Sequence, residues 1–202
     1  MDNPTSVRLT LVSASPRRRE LLSRLGLPFD VLPSRAAERW RTADAAELAC
    51  ENARRKVERS ECWGRADKLL LGADTIVHYR NLVFGKPAGE ESAQRMLEML
   101  SGKSHDVITG VCMAGPPAAS GNPVQVTAAA ITRVRFHEFT AVQIREYLDT
   151  GEWQGKAGAY AIQDRGSALV ESIDGDFDNV VGLPVNLIHE LLRQHFSHYR
   201  FL

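Results

Sequence analysis

The chain has 202 residues, of which 44% are hydrophobic and 25% charged, so it is long and apolar enough for a globular protein with a real core. Its formal net charge is zero, which argues against nonspecific binding to nucleic acid and requires any anion site to come from locally clustered Arg and Lys. Three scattered cysteines without a CxxC pair argue against a zinc ribbon or redox motif, and no apolar run is long enough to span a bilayer. The start also lacks the apolar stretch of a secretion signal, so we expect a soluble, cytoplasmic protein.

The first part of the chain predicts two short strands, each followed by a helix. The strands are predicted over 8–13 and 29–32, and the helices over about 15–26 and 45–59. Ser15 can cap the first helix, Pro16 fits its first turn and Gly26 can end it. A polar loop running through Trp40 separates the second strand from the second helix.

The stretch LLLGADTIVHY is strand-like and strongly apolar, but Gly72 and Asp74 interrupt its centre. Asn81 stands at a plausible turn before LVFG, which predicts a hairpin. The remaining elements are helices over 90–100 and 140–150, strands over 105–115, 124–136 and 168–176, a loop over 116–123, and a last helix opened by Pro184. Strands and helices mix without strict alternation or a dividing linker. We therefore predict one domain over residues 1–202, with a mixed sheet in an α/β (mixed α+β) fold.

Four polar clusters are candidates for a functional site, and the first is SASPRRR, Ser13 to Arg19. It stands where a strand turns into a helix, where backbone N–H groups and a partial positive charge are available. Two hydroxyls and three guanidiniums beside them suit a phosphate, because Arg binds phosphate oxygens with two N–H groups at once. A helix cap followed by solvated arginines explains the same residues equally well.

The second cluster is GADT, which places Asp74 between two apolar stretches, LLL and IV. A buried carboxylate needs a partner, and a metal ion or a water to be deprotonated would serve. The alternative is a turn aspartate that accepts local backbone N–H groups.

The third cluster is GKP, whose Lys86 can act as a point charge against a polyphosphate or can be an ordinary solvated loop lysine. The nearby GKS at Gly102 is not a P-loop, because Leu97 stands where that motif requires glycine. The fourth cluster runs from Gly151 to Gln163, and the Gln163 amide could read a base edge. A tight connection between two elements explains this last cluster as well.

Taken together, the clusters resemble the Maf family of nucleotide pyrophosphatases, also called septum formation inhibitor homologues. The resemblance rests on six motifs in family order, SASPRRRELL, GADTIV, GKP, SGKSHDVITGV, GKAGAYAIQ and NVVGLP, and covers nearly the whole chain. It implies an elongated mixed sheet with flanking helices, in two lobes around a central cleft, similar to inosine triphosphate pyrophosphatases. It also implies hydrolysis between the α and β phosphates of a nucleoside triphosphate with a divalent cation, Mg²⁺ or Mn²⁺, and a homodimer.

The resemblance also implies site residues and a branch of the family. SPRR, GADT and AIQ are similar to the branch acting on dTTP and UTP, rather than on 7-methyl-GTP. In that branch, specificity is placed on positions matching Arg17, Thr75 and Gln163. Catalytic or phosphate-binding positions match Ser13, Arg18, Lys56, Asp74 and Lys86. Asp74 is then the expected proton acceptor and metal ligand, and Glu38, the one acid of PSRAAERW, is the candidate for the second metal-binding and catalytic acid.

Overall fold

The computed structural model describes residues 6–40, 44–117 and 121–202 and confirms a mixed α/β protein. The strands are β1 (Ser6–Leu11), β2 (Phe29–Val31), β3 (Lys68–Tyr79), β4 (Leu82–Phe84), β5 (Ser104–Pro117), β6 (Pro123–Phe136), β7 (Val170–Asp174) and β8 (Arg200–Phe201). The helices are α1 (Pro16–Ser23), α2 (Ala45–Glu58), α3 (Glu90–Leu100), α4 (Ala141–Asp149), α5 (Phe177–Val181) and α6 (Val185–His195). Two 3₁₀ segments, Ala157–Ala159 and Asp164–Leu169, follow α4.

The sheet is mixed, as the irregular order of strands and helices predicted. Its strand order is β2-β1-β3-β5-β6-β7, with β4 pairing with β3 and β8 pairing with β1. Strand β1 is parallel to β2, β3 and β8, whereas β4 is antiparallel to β3 and β7 is antiparallel to β6. Among the residues that the structure describes, no helix combines the length and the apolar character needed to cross a membrane.

The chain divides into two compact units. The first unit comprises the described parts of Met1–Asp74, Thr109–Ala130 and Gly182–Leu202. The second comprises Thr75–Ile108 and Ile131–Val181. Strands β3, β5 and β6 each contribute residues to both units.

In the first unit, α2 lies directly against the backbones of β3 and β5. A Cβ atom added at Gly110 would lie 2.2 Å from the carbonyl carbon of Ala49, and one added at Gly72 would lie 2.8 Å from the carbonyl oxygen of Ala53. The missing side chains of the two glycines therefore create the space in which α2 packs. The helix begins at Asp44, whose carboxylate accepts the N–H groups of residues 46 and 47.

The second unit packs around a buried aromatic group. The rings of His105 and Tyr160 both meet Phe136 edge to face, with centroid separations of 4.7 Å. His105 Nε2 lies 2.9 Å from the Tyr160 hydroxyl, and burial lowers the pKa of His105 to about 4. Helix α4 begins with the predicted cap at Thr140, which forms a reciprocal capping box with Gln143.

The structure differs from the sequence prediction in two long segments. Residues 68–79 form one continuous strand, so Gly72 and Asp74 do not interrupt it. Residues 69–74 of this strand are buried one after another, so side chains on both of its faces are covered, which makes an unbroken apolar run possible. The predicted loop 116–123 is also shorter, because Pro116 and Pro117 end β5 and Pro123 begins β6. Proline is tolerated at strand ends, where no ladder N–H is needed. Residues 118–120 of that loop lie outside the described part of the chain.

Candidate functional site

The start of α1 holds the first group of predicted site residues. Ser15 caps the helix by accepting the N–H of Arg18, and Pro16 occupies the first turn, as predicted. The hydroxyl of Ser13, which is buried, accepts the N–H of Ser15 at 3.2 Å. Arg17 and Arg18, both half-buried, follow on the first turn. The structure therefore places a hydroxyl, a helix N-terminus and two guanidiniums together, a combination suited to a phosphate.

Arg18 joins this helix start to the strand that carries Asp74. Its Nε donates to the Gly182 carbonyl and its Nη1 donates to the Ala73 carbonyl, both at 2.8 Å. Burial lowers the pKa of Arg18 from its ordinary value, while the charges of Asp74 and Glu38 raise it. The guanidinium remains protonated at physiological pH, so it contributes a fixed positive charge beside the Ala73–Asp74 backbone.

Asp74 lies in the middle of β3 and is only 3% exposed. Its Oδ1 accepts a hydrogen bond from Nζ of Lys56, which is 9% exposed and projects from α2. Burial raises the pKa of Asp74, the charge of Lys56 lowers it and the charge of Glu38 raises it, with a net rise. Asp74 therefore lies in a strand and not in a turn, and its partner here is the Lys56 ammonium, while the metal ion or water suggested by the sequence stays a prediction.

Glu38 reaches the same lysine from the loop between β2 and α2. Its Oε1 lies 3.2 Å from Lys56 Nζ, and its side chain keeps 23% exposure. The ammonium also donates to the Ala73 carbonyl at 3.4 Å. Asp74, Lys56 and Glu38, which we call the acid–lysine cluster, thus bring two carboxylates onto one cation.

Sequence reasoning missed one buried member of this site, Asn52. It lies one helical turn before Lys56 on α2, is 1% exposed, and its Nδ2 donates to Asp74 Oδ2 at 3.1 Å. The four-residue spacing from Lys56 places both side chains on one face of the helix, which was the available signal. Taken alone, however, an asparagine within a predicted helix does not indicate a functional role.

The acid–lysine cluster has the chemistry to meet a divalent cation. Two carboxylates converge on a point already occupied by positive charge, and carboxylate oxygens are ligands that Mg²⁺ and Mn²⁺ prefer. Among the described residues, no group of three or more His, Cys, Asp or Glu could enclose a metal. An ion held by Asp74 and Glu38 would therefore complete its coordination with water or with the oxygens of a bound phosphate.

Three predicted site residues lie in the second unit. Thr75 follows Asp74 on β3 and is half-buried, Lys86 follows β4 and is exposed, and Gln163 immediately precedes the second 3₁₀ segment and is half-buried. Gly158 N–H donates to the Gly85 carbonyl at 3.1 Å, so the third and fourth sequence clusters meet in this unit. Gly158 has φ +68°, and an added Cβ would lie 2.8 Å from a Val77 methyl, so glycine is required there.

The segment before Gln163 is fixed by short-range contacts. The N–H of Ala161 donates to the Tyr147 hydroxyl at 3.0 Å, and a Cβ at Gly166 would lie 1.8 Å from the Ala161 carbonyl oxygen. These contacts make the segment a tight connection, and the base-reading role of Gln163 stays a prediction. These contacts hold the backbone two residues before Gln163.

This mixed α/β fold thus combines a helix N-terminus, arginines and a buried acid–lysine cluster, groups that suit a phosphorylated ligand. The chain matches the family described as Maf-like protein over residues 8–195, and it belongs to that family.

Its relatives include proteins named dTTP/UTP pyrophosphatase from bacteria and archaea. The one from Moorella thermoacetica is 48% identical over 92% of this chain and 93% of its own length. That from Thermococcus onnurineus is 43% identical over 91% and 95% of the respective chains. That from Gloeobacter violaceus is 44% identical over 94% and 96%.

Proposed function

We propose that this chain hydrolyses dTTP and UTP to the monophosphate and pyrophosphate, and so removes these nucleotides or modified relatives from the nucleotide pool. The proposal is supported by relatives of that name at 41–48% identity along nearly the whole chain. The observation that carries it is the buried pair of Asp74 and Lys56 beside Arg18, in which Lys56 also binds Glu38. A protein that only bound nucleotides would have no chemical need for a buried carboxylate with a raised pKa.

Asp74 is the proposed general base, which takes a proton from the attacking water. A carboxylate is a weak base at its ordinary pKa, and burial raises the pKa of Asp74 above that value. Lys56 holds Oδ1 and Asn52 holds Oδ2, so both oxygens of the base are fixed in direction. Attack at the α phosphorus then breaks the bond to the β phosphate and releases pyrophosphate.

Cationic groups are the proposed binding partners of the triphosphate. Phosphoryl chemistry depends mainly on positioning and electrostatic stabilisation, so several cations are needed. The cations proposed for this role are Arg17, Arg18, Lys56 and Lys86, and the hydroxyl of Ser13 is proposed to bind beside them. A divalent ion, Mg²⁺ or Mn²⁺, held by Asp74 and Glu38, would offset charge that develops on the phosphate oxygens.

Base selection is the proposed role of Thr75 and Gln163, with Arg17 meeting either base or phosphate. Replacing Gln163 by Ala removes an amide that can both donate and accept, and leaves the phosphate-binding cations in place. We expect Gln163→Ala to reduce the preference for dTTP and UTP more than it weakens inhibition by inorganic triphosphate. An unchanged ranking of nucleotides in competition assays would reject the base-reading role.

The proposed function is tested by a substrate panel. Each common nucleoside triphosphate and 7-methyl-GTP is incubated with the purified protein and Mg²⁺ or Mn²⁺, and the products are separated. Monophosphate and pyrophosphate from dTTP and UTP support the proposal. Turnover of 7-methyl-GTP alone would keep the chemistry and overturn the specificity. No turnover with either metal would favour a nonenzymatic, nucleotide-binding regulator of cell division.

The cellular location and the oligomeric state of the protein are also proposals. We place it in the cytoplasm, where the nucleotide pool is found, and we propose a homodimer by family resemblance. Size-exclusion chromatography with light scattering decides the second point, since a mass near 22.4 kDa would identify a monomer.

A further inference from the structure

The Asn52 side chain connects the two acids of the proposed active site. Its Oδ1 accepts the backbone N–H of Arg39 at 2.8 Å, and its Nδ2 donates to the Arg39 carbonyl at 3.1 Å and to Asp74 Oδ2 at 3.1 Å. The amide is only 1% exposed, so these protein groups replace water as its partners.

The contacts with Arg39 determine which way the amide points. A backbone N–H requires an acceptor and a backbone carbonyl requires a donor, so Oδ1 and Nδ2 cannot be exchanged without losing both bonds. One hydrogen of Nδ2 meets the Arg39 carbonyl, and the second is directed at Asp74. The backbone of Arg39 therefore orients the Asn52 amide, and this amide in turn orients the Asp74 carboxylate.

The same contacts place Glu38, the residue before Arg39. The segment from Leu32 to Trp40 has no regular secondary structure, yet Glu38 lies 3.2 Å from Lys56 Nζ. Asn52 and Lys56 are four residues apart on α2, so one face of a rigid helix holds both the loop backbone and the two acids.

We propose that Asn52 is a positioning residue that fixes Glu38 and Asp74 relative to each other by joining the Arg39 backbone to the Asp74 carboxylate. This inference rests on the proposed function, because it assigns Asn52 a part in the same reaction. A displacement of about 1 Å in a reacting group can cost about 100-fold in rate. We therefore expect Asn52→Ala to lower kcat by roughly 10- to 100-fold with a smaller change in KM.

The first experiment compares Asn52→Ala with Glu51→Gln, a neighbouring control on the same helix. Glu51 pairs with the Arg39 side chain at 2.8 Å, so Glu51→Gln removes the charge of this surface ion pair and leaves the backbone bonds of Arg39 in place. We expect Glu51→Gln to keep wild-type kcat. If Asn52→Ala also keeps wild-type kcat, the proposal is overturned.

Hydrogen–deuterium exchange separates positioning from general destabilisation and needs no turnover. In Asn52→Ala, the amide of Arg39 should exchange about tenfold or more faster, whereas the amides of α6 should keep wild-type rates, since opening is local. Faster exchange throughout the first unit would instead assign a purely structural role and overturn the proposal. If the wild-type protein hydrolyses no nucleotide, the proposed function fails. Independently of turnover, an Arg39 amide that exchanges equally fast in Asn52→Ala and in the wild type would overturn the positioning role of Asn52.

A second variant covers the case in which Asn52→Ala does not fold. Asn52→Asp keeps the size of the side chain and an acceptor for the Arg39 N–H, but it has no donor for the Arg39 carbonyl or for Asp74 Oδ2. We expect a lower kcat than in the wild type. In a Glu38→Gln background the effect of Asn52→Asp on kcat should be at least threefold smaller than in the wild type, since coupled residues are not additive. Equal fold-changes in the two backgrounds would contradict the coupling of Asn52 to Glu38.

Discussion

The chemistry assigned to Asp74 can be tested by removing its charge while keeping its shape. Asp74→Asn keeps the size of the side chain and one acceptor oxygen for the donors Lys56 and Asn52, but an amide takes no proton from water. We expect kcat to fall by about 10²- to 10⁴-fold, as is typical for loss of a general base. The near-wild-type circular dichroism and urea midpoint of the variant would show that the fold is intact. A folded variant with normal turnover would remove Asp74 from the mechanism.

The raised pKa of Asp74 also predicts how stability changes with pH. Because burial raises this pKa in the folded state, the native protein binds more protons than the unfolded chain between the two pKa values. The contribution of Asp74 to the free energy of unfolding is therefore highest below the unfolded pKa near 3.8, where Asp74 is protonated in both states. This contribution falls as pH rises from there through the folded pKa. Relative to wild type, Asp74→Asn should thus become more stable as pH rises from about 4 to 7.

Asp30 provides a control of opposite sign for this measurement. Hydrogen bonding to Lys68 lowers the pKa of Asp30, with a further contribution from Arg8. Its stabilising effect is present above the unfolded pKa and is lost as pH falls through the folded one, so Asp30→Asn should be relatively most destabilised near neutral pH. Urea unfolding of both variants from pH 4 to 8 checks the two signs. Parallel pH dependences for the two variants would contradict the assignment to Asp74.

Single residues with a strong chemical signature could be predicted from the sequence, and the bonds between them could not. Asp74 stood out because a carboxylate inside an apolar stretch needs a partner, and the family resemblance supplied Lys56 and Glu38. Asn52 has no such signature, since an amide on a helix is usually solvated. Its role arises from the loop backbone that it meets 13 positions away, and no local pattern encodes that contact.

At the scale of elements, the position of α2 depends on two glycines in the strands below it. A Cβ at Gly110 would lie 2.2 Å from the carbonyl carbon of Ala49, and this backbone atom can move only if the helix moves. Gly110→Ala should therefore push α2 outward and lower the free energy of unfolding by about 3 kcal/mol, the upper range for overpacking. It should also reduce turnover, because α2 carries both Lys56 and Asn52.

Gly89→Ser is the matched control for this prediction. It adds a side chain where nothing lies within 4 Å, in an extended backbone, and serine is a favourable residue at a helix N-cap. We expect unchanged or slightly increased stability and normal turnover, measured by urea unfolding and the nucleotide assay. Equal losses in Gly110→Ala and Gly89→Ser would show that close packing of α2 does not explain the effect.

Helices with clear caps were predictable, and strand extent was less so. Ser15 and Thr140 mark the helix starts that the sequence indicated, because capping is a local interaction between neighbours. In contrast, β3 continues through Gly72, against which α2 packs, and through Asp74, whose carboxylate binds Lys56 and Asn52, 18 and 22 positions away in sequence. The short elements α5 and β8 were not predicted, since five and two residues are too few to show a periodicity.

At the scale of the whole molecule, the protein has no excess charge with which to attract a triphosphate. The chain has 25 basic and 25 acidic residues, so attraction of a triphosphate has to come from local groups such as Arg17, Arg18 and Lys56. Local charges act over about a Debye length, roughly 8 Å at physiological salt. We infer that binding depends on the built site rather than on long-range steering.

Metal removal tests whether the proposed divalent ion serves the reaction or the fold. The carboxylates of Asp74 and Glu38 already bind the Lys56 ammonium, so we expect the fold to hold them together without a metal. Dialysis against EDTA should therefore abolish turnover, and added Mg²⁺ or Mn²⁺ should restore it. The midpoint of thermal unfolding should change by less than about 2 °C, since 1 kcal/mol corresponds to about 2–4 °C in a chain of this size. A drop of several degrees on chelation would instead assign the ion a structural role, and a metal-independent midpoint in Asp74→Asn would then locate that ion at the acid–lysine cluster.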